Sequence, residues 1–319
     1  MLTIEPKISE HMSTKQNRVI VTTTINPPTE ALLRFSEMKD WKLVVVMDKK
    51  TPQHSRLENA IYLSCEDQEK MFKPLSEAIG WNCIQRRNIG FAYAAWELNA
   101  DIIASVDDDN IPLPGWGENL LLGKDTATHN WSTEEPVFDP VWAAGRKDLW
   151  HRGFPLQRLQ GRKTCTPGKS IVKADIQADF WNGDPDIDAV CRMEHAPDVT
   201  FDDRAFPITS NKPSPFNSQN TFITREVLPH YFMFPEIGRM DDIWASYHVQ
   251  TKGFRVVYGK ATVVQVRNQH NPTRDLKHEW FGYTETDDLV KDLPNENAVL
   301  DRLPTRARRA FALYQELFK

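Results

Sequence analysis

Asp101-Ile-Ile-Ala-Ser-Val-Asp-Asp-Asp-Asn110 is an apolar run that closes on three consecutive carboxylates. Ile102 to Val106 predicts a short buried strand, because a brief apolar run bounded by polar residues suits a strand covered on both faces. Carboxylates at its end cannot enter the core unpartnered, so they must open onto a solvent crevice. In open α/β sheets that crevice, outside the strand ends, is where ligands bind. Adjacent like charges repel, and the cluster requires something positive among them. Side chains alternate along an extended chain, which aims Asp107 and Asp109 one way and Asp108 another, toward a ribose hydroxyl or a backbone amide. Mn²⁺ or Mg²⁺ bridging one or two carboxylates to phosphates meets the requirement. A solvated acidic turn meets it equally well, and the triplet alone does not choose.

The flanking sequence supplies the context. Arg18 to Thr23 reads as a β-branched strand, Thr29 as the cap of a helix from Glu30 to about Met38, and Lys42 to Met47 as a second strand. Strand, helix, strand is the opening of a parallel sheet. Ala60 to Ser64 predicts a third strand, Asp67 to Ile79 a helix, and Ile89 to Leu98, behind Asn88, a helix packed under the sheet. The first 110 residues therefore read as a doubly wound nucleotide-binding half, without a dinucleotide fingerprint or a P-loop. From about 111 to 220 proline and tryptophan interrupt the pattern, which predicts long loops over an active site. Asp241 to Gln250 predicts a helix, Phe254 to Tyr258 and Ala261 to Val266 two strands, and the residues after 271 a helical extension.

Composition narrows the function classes. Hydrophobic residues make up 40% and charged residues 26%, a globular balance that excludes a disorder-dominated chain. With 39 basic against 44 acidic residues the net charge is -5, so no global field favours nucleic acid. Cys65, Cys83, Cys165 and Cys191 show no CxxC spacing, which argues against a zinc or disulfide scaffold and suits a reducing compartment. No apolar run is long enough to span a bilayer, and Met1 to Lys7 lacks a signal-peptide pattern. A cytoplasmic protein without a transmembrane segment is expected, with peripheral association to a membrane assembly left open.

Seven segments carry a family resemblance: Thr22-Thr-Thr-Ile-Asn-Pro-Pro28, Val44-Val-Val-Met-Asp-Lys-Lys-Thr-Pro52, Arg87-Asn-Ile-Gly-Phe91, Asp107-Asp-Asp-Asn110, Trp150-His-Arg-Gly-Phe-Pro-Leu156, Gly183-Asp-Pro-Asp-Ile-Asp188 and Gly238-Arg-Met-Asp-Asp-Ile-Trp244. In this order they resemble the STELLO-type glycosyltransferases and the related plant reversibly glycosylated polypeptides, which are UDP-arabinopyranose mutases. The resemblance implies a GT-A-like (Rossmann-like) mixed α/β sheet flanked by helices, with a metal-binding DxD. Residues 1–17, polar and unpatterned, read as a flexible tail, 18–270 as a nucleotide-sugar-binding catalytic domain and 271–319 as a C-terminal helical extension. The mutases carry a glycosylated arginine seven residues beyond the arginine of their Arg-Gly-Tyr-Pro motif. Here that count from Arg152 lands on Leu159, with Arg158 one position off.

The site residues follow. Asp107 and Asp109 are the expected metal ligands, with His270 as a third, although a loop histidine is more often simply exposed. Arg86 and Arg87 stand before a helix N-terminus, where they can meet a diphosphate together or form a solvated basic pair. The resemblance favours the first for Arg87. Thr23, Thr24, Asp48 and Asp108 are candidates for the nucleoside, at the ends of the first, second and acidic strands. Asp184 and Asp186 are the preferred sugar contacts, with an Asx turn as the plain alternative and Asp188 holding Arg192. Asp241 and Asp242 open a helix, where acidic residues are favoured without any catalytic duty. The transferase reading makes Asp242 the acceptor-side group and Asp241 its alternate. Trp116, Trp142, Trp150 and Trp181 offer faces for a sugar, most of them expected in the core. The leading expectation is a metal-dependent glycosyltransferase that moves sugar from a nucleoside diphosphate sugar, UDP-linked, to a glycan or other acceptor. A pyranose/furanose mutase and a non-catalytic nucleotide-sugar-binding subunit are the rivals.

Overall fold

The computed structural model describes residues 16–53, 56–266 and 271–319. β1 (Arg18–Thr24), β2 (Lys42–Met47), β3 (Ala60–Leu63) and β4 (Ile102–Val106) form where the aliphatic runs predict them, and all pair in parallel. Between them lie α1 (Glu30–Ser36), α2 (Cys65–Ile79) and α3 (Arg87–Trp96). Thr29 caps α1 by accepting from the Leu32 amide. Ser64 and Asp67 form a reciprocal capping box, so α2 starts at Cys65, ahead of the expected Asp67. The order β3–β2–β1–β4 places β2 and β4 on opposite sides of β1, which opens a switch-point crevice at their carboxyl ends. Asp107 to Asp109 follow β4 into it.

Beyond β4 the sheet is mixed. It adds β5 (Asn110–Pro112), β6 (Asp125–Ser132), β7 (Thr166–Lys173), β8 (Ile176–Gly183), β9 (Ile208–Ser210), β10 (Asn220–Thr224) and β11 (Val256–Gln265). β10 runs antiparallel to β4 and β8, β11 lies parallel to β8, and the antiparallel β6–β7 pair forms one edge. The mixed, helix-flanked sheet that the resemblance implies is present. The expectation of long loops from 111 to 220 is corrected: β6 to β9 lie there. β7 is exposed over most of its length and β8 buries Gln177 and Asp179, so neither shows apolar alternation. The two strands expected after Phe254 are one, β11, with an irregularity between Gly259 and Val263.

The remaining helices are α4 (Pro140–Ala143), α5 (Ala189–Glu194), α6 (Asp241–Thr251), α7 (Pro272–Asp292), α8 (Ala298–Arg302) and α9 (Thr305–Glu316). Leu289, Val290, Ala307, Phe311 and Tyr314 join the hydrophobic cluster that also contains the strands of the sheet. The C-terminal helices thus buttress the core under the site.

α3 lies against β1 and β2 through Gly90, where a Cβ would stand 2.4 Å from Val21 Cγ1 and 2.7 Å from Val46 Cγ2. Gly90→Val should destabilise the fold by about 1–3 kcal/mol through overpacking. The check is a lower urea midpoint at unchanged m value; an unshifted midpoint would mean that helix and sheet separate without penalty.

Candidate functional site

Asp107 leaves β4 and meets Arg87 at the start of α3 in a 2.5 Å ion pair. Arg87 is 1% exposed and also donates to Ser218 O at 2.9 Å, Ser218 Oγ at 3.1 Å and Thr23 Oγ1 at 3.3 Å. Part of the positive charge the triplet requires is therefore built in. Asp108 turns away as alternation predicts, but onto protein side chains. Its carboxylate accepts from Thr24 Oγ1 and Asn26 Nδ2, and its carbonyl from Thr29 Oγ1. Burial raises its pKa against the pull of those hydrogen bonds. Asp108 ties β1 and the cap of α1 to the end of β4.

Two cavities meet at this strand end. One, of about 270 Å³, is bordered by Thr23, Thr24, Asp48, Lys50, Arg87 and Asp108; the other, of about 190 Å³, by Arg152, Asp186, Arg239, Asp241 and Asp242. Ile84, Asp107 and Asp109 border both. Larger clefts of about 510 and 610 Å³ elsewhere touch neither Asp107 nor Asp109.

Asp48 stands on the rim of the first cavity, but its carboxylate accepts from the amides of Lys49, Asn82 and Cys83 at 2.6, 2.8 and 3.0 Å. It shapes the pocket by holding the 82–83 turn. The pairing of Arg86 with Arg87 is corrected. Arg86 is fully buried on the other side of the turn, bonded to Gln68, Ser76 and Gly80 and stacked 3.7 Å from the Trp81 ring. It cannot meet a ligand in either cavity, and neither arginine is the solvated alternative.

The second cavity is organised by Arg152. Its Nε lies 2.9 Å from Asp186 Oδ1, and its Nη1 and Nη2 lie 3.0 and 3.1 Å from the two oxygens of Asp242. It also donates to the Arg239 carbonyl. Asp186 accepts from Asn217 Nδ2 at 2.9 Å, and Asp242 from the Ser218 amide at 2.9 Å. Asp184 is corrected as a sugar contact: it pairs with Arg192 at 2.5 Å and borders neither cavity. Asp188, expected on Arg192, instead caps α5 through the Cys191 amide and accepts from Trp150 Nε1. Asp241 accepts from Gln85 Nε2 at 2.7 Å. Burial, then the neighbouring Asp242 charge, push the Asp241 carboxyl up to about 7. Burial would raise Asp242 as well, but the Arg152 guanidinium outweighs it and holds that carboxyl below the usual range. Burial and Arg152 thus set the two carboxyls apart, Asp241 raised and Asp242 lowered.

The sequence reading did not single out Arg152, Ser218, Gln85 or Arg239. Arg152 had one local signal, the glycine beside it. Gly153 has φ +83°, and a Cβ there would stand 2.2 Å from Ile243 Cγ2 of α6, so the motif presses the chain against the helix that carries Asp241 and Asp242. Trp116, Trp150 and Trp181 are buried in the core, and with Trp142 they border neither cavity. Arg158 is held by Glu135 and Asp287, each at 2.6 Å, also away from both cavities.

Asp107 and Asp109 place hard oxygen donors at the seam of the cavities, which fits Mn²⁺ or Mg²⁺ bound by one or two carboxylates together with phosphate oxygens. The described residues gather no set of three or more His, Cys, Asp and Glu side chains around a metal position. His270 lies outside the described residues. Among the described residues no helix is long and apolar enough to cross a membrane.

No protein-family model matches the chain. Over 241 residues it is 25% identical to a protein of Arabidopsis thaliana named probable glycosyltransferase STELLO2, the match covering 68% of this chain and 31% of that protein. Probable glycosyltransferase STELLO1 of the same plant is 24% identical over the same shares. The chain thus spans about a third of the length of the curated relatives it matches. Glucosyl-3-phosphoglycerate synthase from Mycobacterium tuberculosis, solved in complex with phosphoglyceric acid, aligns with a TM-score of 0.38 and 10% identity, over 87% of this chain and 78% of that one.

Proposed function

From the chain's relationship to the STELLO-type glycosyltransferases, we propose that it is a metal-dependent glycosyltransferase using a UDP-linked sugar, with a glycan or other hydroxyl-bearing acceptor. The observation that carries this reading is the junction of two cavities on Asp107 and Asp109. A donor laid across that seam has its nucleoside between the ends of β1 and β2, its diphosphate at the two carboxylates and its sugar beside Arg152. Thr23 and Thr24 line the nucleoside side, and Lys50 and Arg87 add positive charge near the phosphates. Mn²⁺ or Mg²⁺ held by Asp107 and Asp109 would supply Lewis-acid neutralisation of the departing diphosphate. Arg152 holds Asp186 and Asp242 in place, so the cavity is organised before the sugar arrives. Asp241 accepts the proton of the acceptor hydroxyl.

The mutase rival requires a nucleophilic arginine beside the anomeric carbon. Arg158 is committed to two carboxylates elsewhere, which favours transfer. Intact Asp107 and Asp109 weigh against a non-catalytic subunit. A cytoplasmic site of action, with or without peripheral attachment to a membrane assembly, belongs to the same proposal.

Thermal-shift and calorimetric titration with UDP, with and without Mn²⁺, tests the reading, since a ligand bound to the native state raises its melting temperature. Asp109→Ala should weaken Mn²⁺-dependent UDP binding by about tenfold or more, roughly 1.4 kcal/mol. UDP titrations that are indifferent to EDTA would sink the metal-dependent reading.

A further inference from the structure

We infer that the sugar handled by this chain is uncharged, with hydroxyls as its polar groups, and that the second cavity rejects uronic acids and phosphorylated sugars. The inference rests on the transferase reading, because it concerns the donor's sugar in that cavity.

The wall decides the chemistry. Five carboxylates border the cavity, those of Asp107, Asp109, Asp186, Asp241 and Asp242, against two cations, Arg152 and Arg239. Both cations are engaged. Arg152 is divided between Asp186 and Asp242, and Arg239 gives its Nε to Glu279 at 2.8 Å with Asp275 and Asp186 each 4.0 Å away. Arg87, behind the seam, is bound to Asp107 and Ser218.

Ionised carboxylates accept hydrogen bonds and cannot donate them; of the five, Asp241, pushed up to about 7 by burial, can do either near neutral pH. A wall rich in acceptors is matched by a ligand rich in donors, which sugar hydroxyls are. A carboxylate or phosphate on the ring would set acceptor against acceptor and charge against like charge. Salt screens such buried charges only weakly. Arg152 has its fork filled by Asp186 and Asp242, and the charge of Arg239, whose Nη1 and Nη2 stand 4.0 Å from the nearest carboxylates, is already matched by Glu279, so neither brings a spare positive charge for that anion. A divalent cation at Asp107 and Asp109 does not alter the balance on the sugar side, since its charge is matched by the donor's diphosphate.

The test is calorimetric titration of the full chain, in Mn²⁺, with UDP, UDP-glucose and UDP-glucuronate. UDP-glucose is expected to bind at least as tightly as UDP, and UDP-glucuronate tenfold or more weakly than UDP-glucose. Asp186→Asn, which removes one charge and keeps an acceptor for Arg152, is expected to narrow that gap. Equal affinities for the two sugars in the unmodified chain would overturn the inference and leave the transferase reading standing. Absence of UDP binding would overturn both. The comparison in the unmodified chain decides even if the variant does not fold.

Discussion

Asp241→Asn should lower the rate of sugar transfer by about 10²–10⁴-fold while Mn²⁺-dependent UDP affinity stays within about twofold. The substitution keeps the size of the side chain and its bond partner Gln85 but removes the ability to take up a proton. With the carboxyl pushed up to about 7 by burial and by Asp242, its ionised fraction grows as pH rises through neutrality. kcat/KM of the unmodified enzyme should climb by about tenfold per pH unit below that value and level off above it. The matching measurement on Asp242→Asn separates the two carboxylates. Asp242 is held ionised by Arg152 across this range, so its loss should depress the rate without moving the acid limb. A rate unchanged in Asp241→Asn, or a UDP affinity that falls in step with the rate, would remove Asp241 from acceptor chemistry.

How far the sequence carries depends on whether a residue's partners are local. β1, β2 and β4 were legible because uninterrupted aliphatic runs leave little alternative to buried strands, and the carboxylates closing β4 had to face a crevice. Asp107 and Asp109 were found on that argument. Asp48 was placed correctly at a strand end, yet its duty was not legible, because the amides it accepts come from Asn82 and Cys83, in a turn beyond β3 and α2. Asp184 and Asp186 show where alternation fails. The rule holds along an extended strand, but β8 ends at Gly183 with φ +86°, and Pro185 turns the chain again, so one carboxylate faces Arg192 and the other Arg152. The β6–β7 pair escaped for the opposite reason: its strands lie at the sheet edge, where no buried face imposes a pattern. Arg152 was legible only as part of a motif. Its partners Asp186 and Asp242 are 34 and 90 residues away, a distance that no local spacing reports.

That distance makes Arg152→Met the most damaging single change expected for the fold of the site. Asp186 and Asp242 are 2% and 4% exposed, and the substitution strips both of their principal cation while leaving their charge buried. Breaking a buried ion pair from one side costs about 3–5 kcal/mol, and here two carboxylates share the loss. Arg239, 4.0 Å from Asp186, is held by Glu279 and cannot take over both. The penalty should depend on pH with a definite sign. In the unmodified chain Asp242 has a lowered folded-state pKa, so its contribution is present above the unfolded value and fades as pH falls. In the variant the two carboxyls, buried without the guanidinium, have raised folded-state pKa values, so they lose stability as pH rises above the unfolded value. The two curves converge on acidification, and the deficit is widest at neutral pH. Urea unfolding at pH 7.5 and pH 5, as about the ends of the useful range, reads this directly. Adding Asp186→Asn and Asp242→Asn to Arg152→Met should restore much of the stability without restoring transfer, because the orphaned charges disappear while the organised wall of the cavity does not return. An Arg152→Met protein that unfolds at the same urea concentration as the parent at both pH values would mean that the two carboxylates do not depend on this guanidinium, and that the second cavity is not built around it.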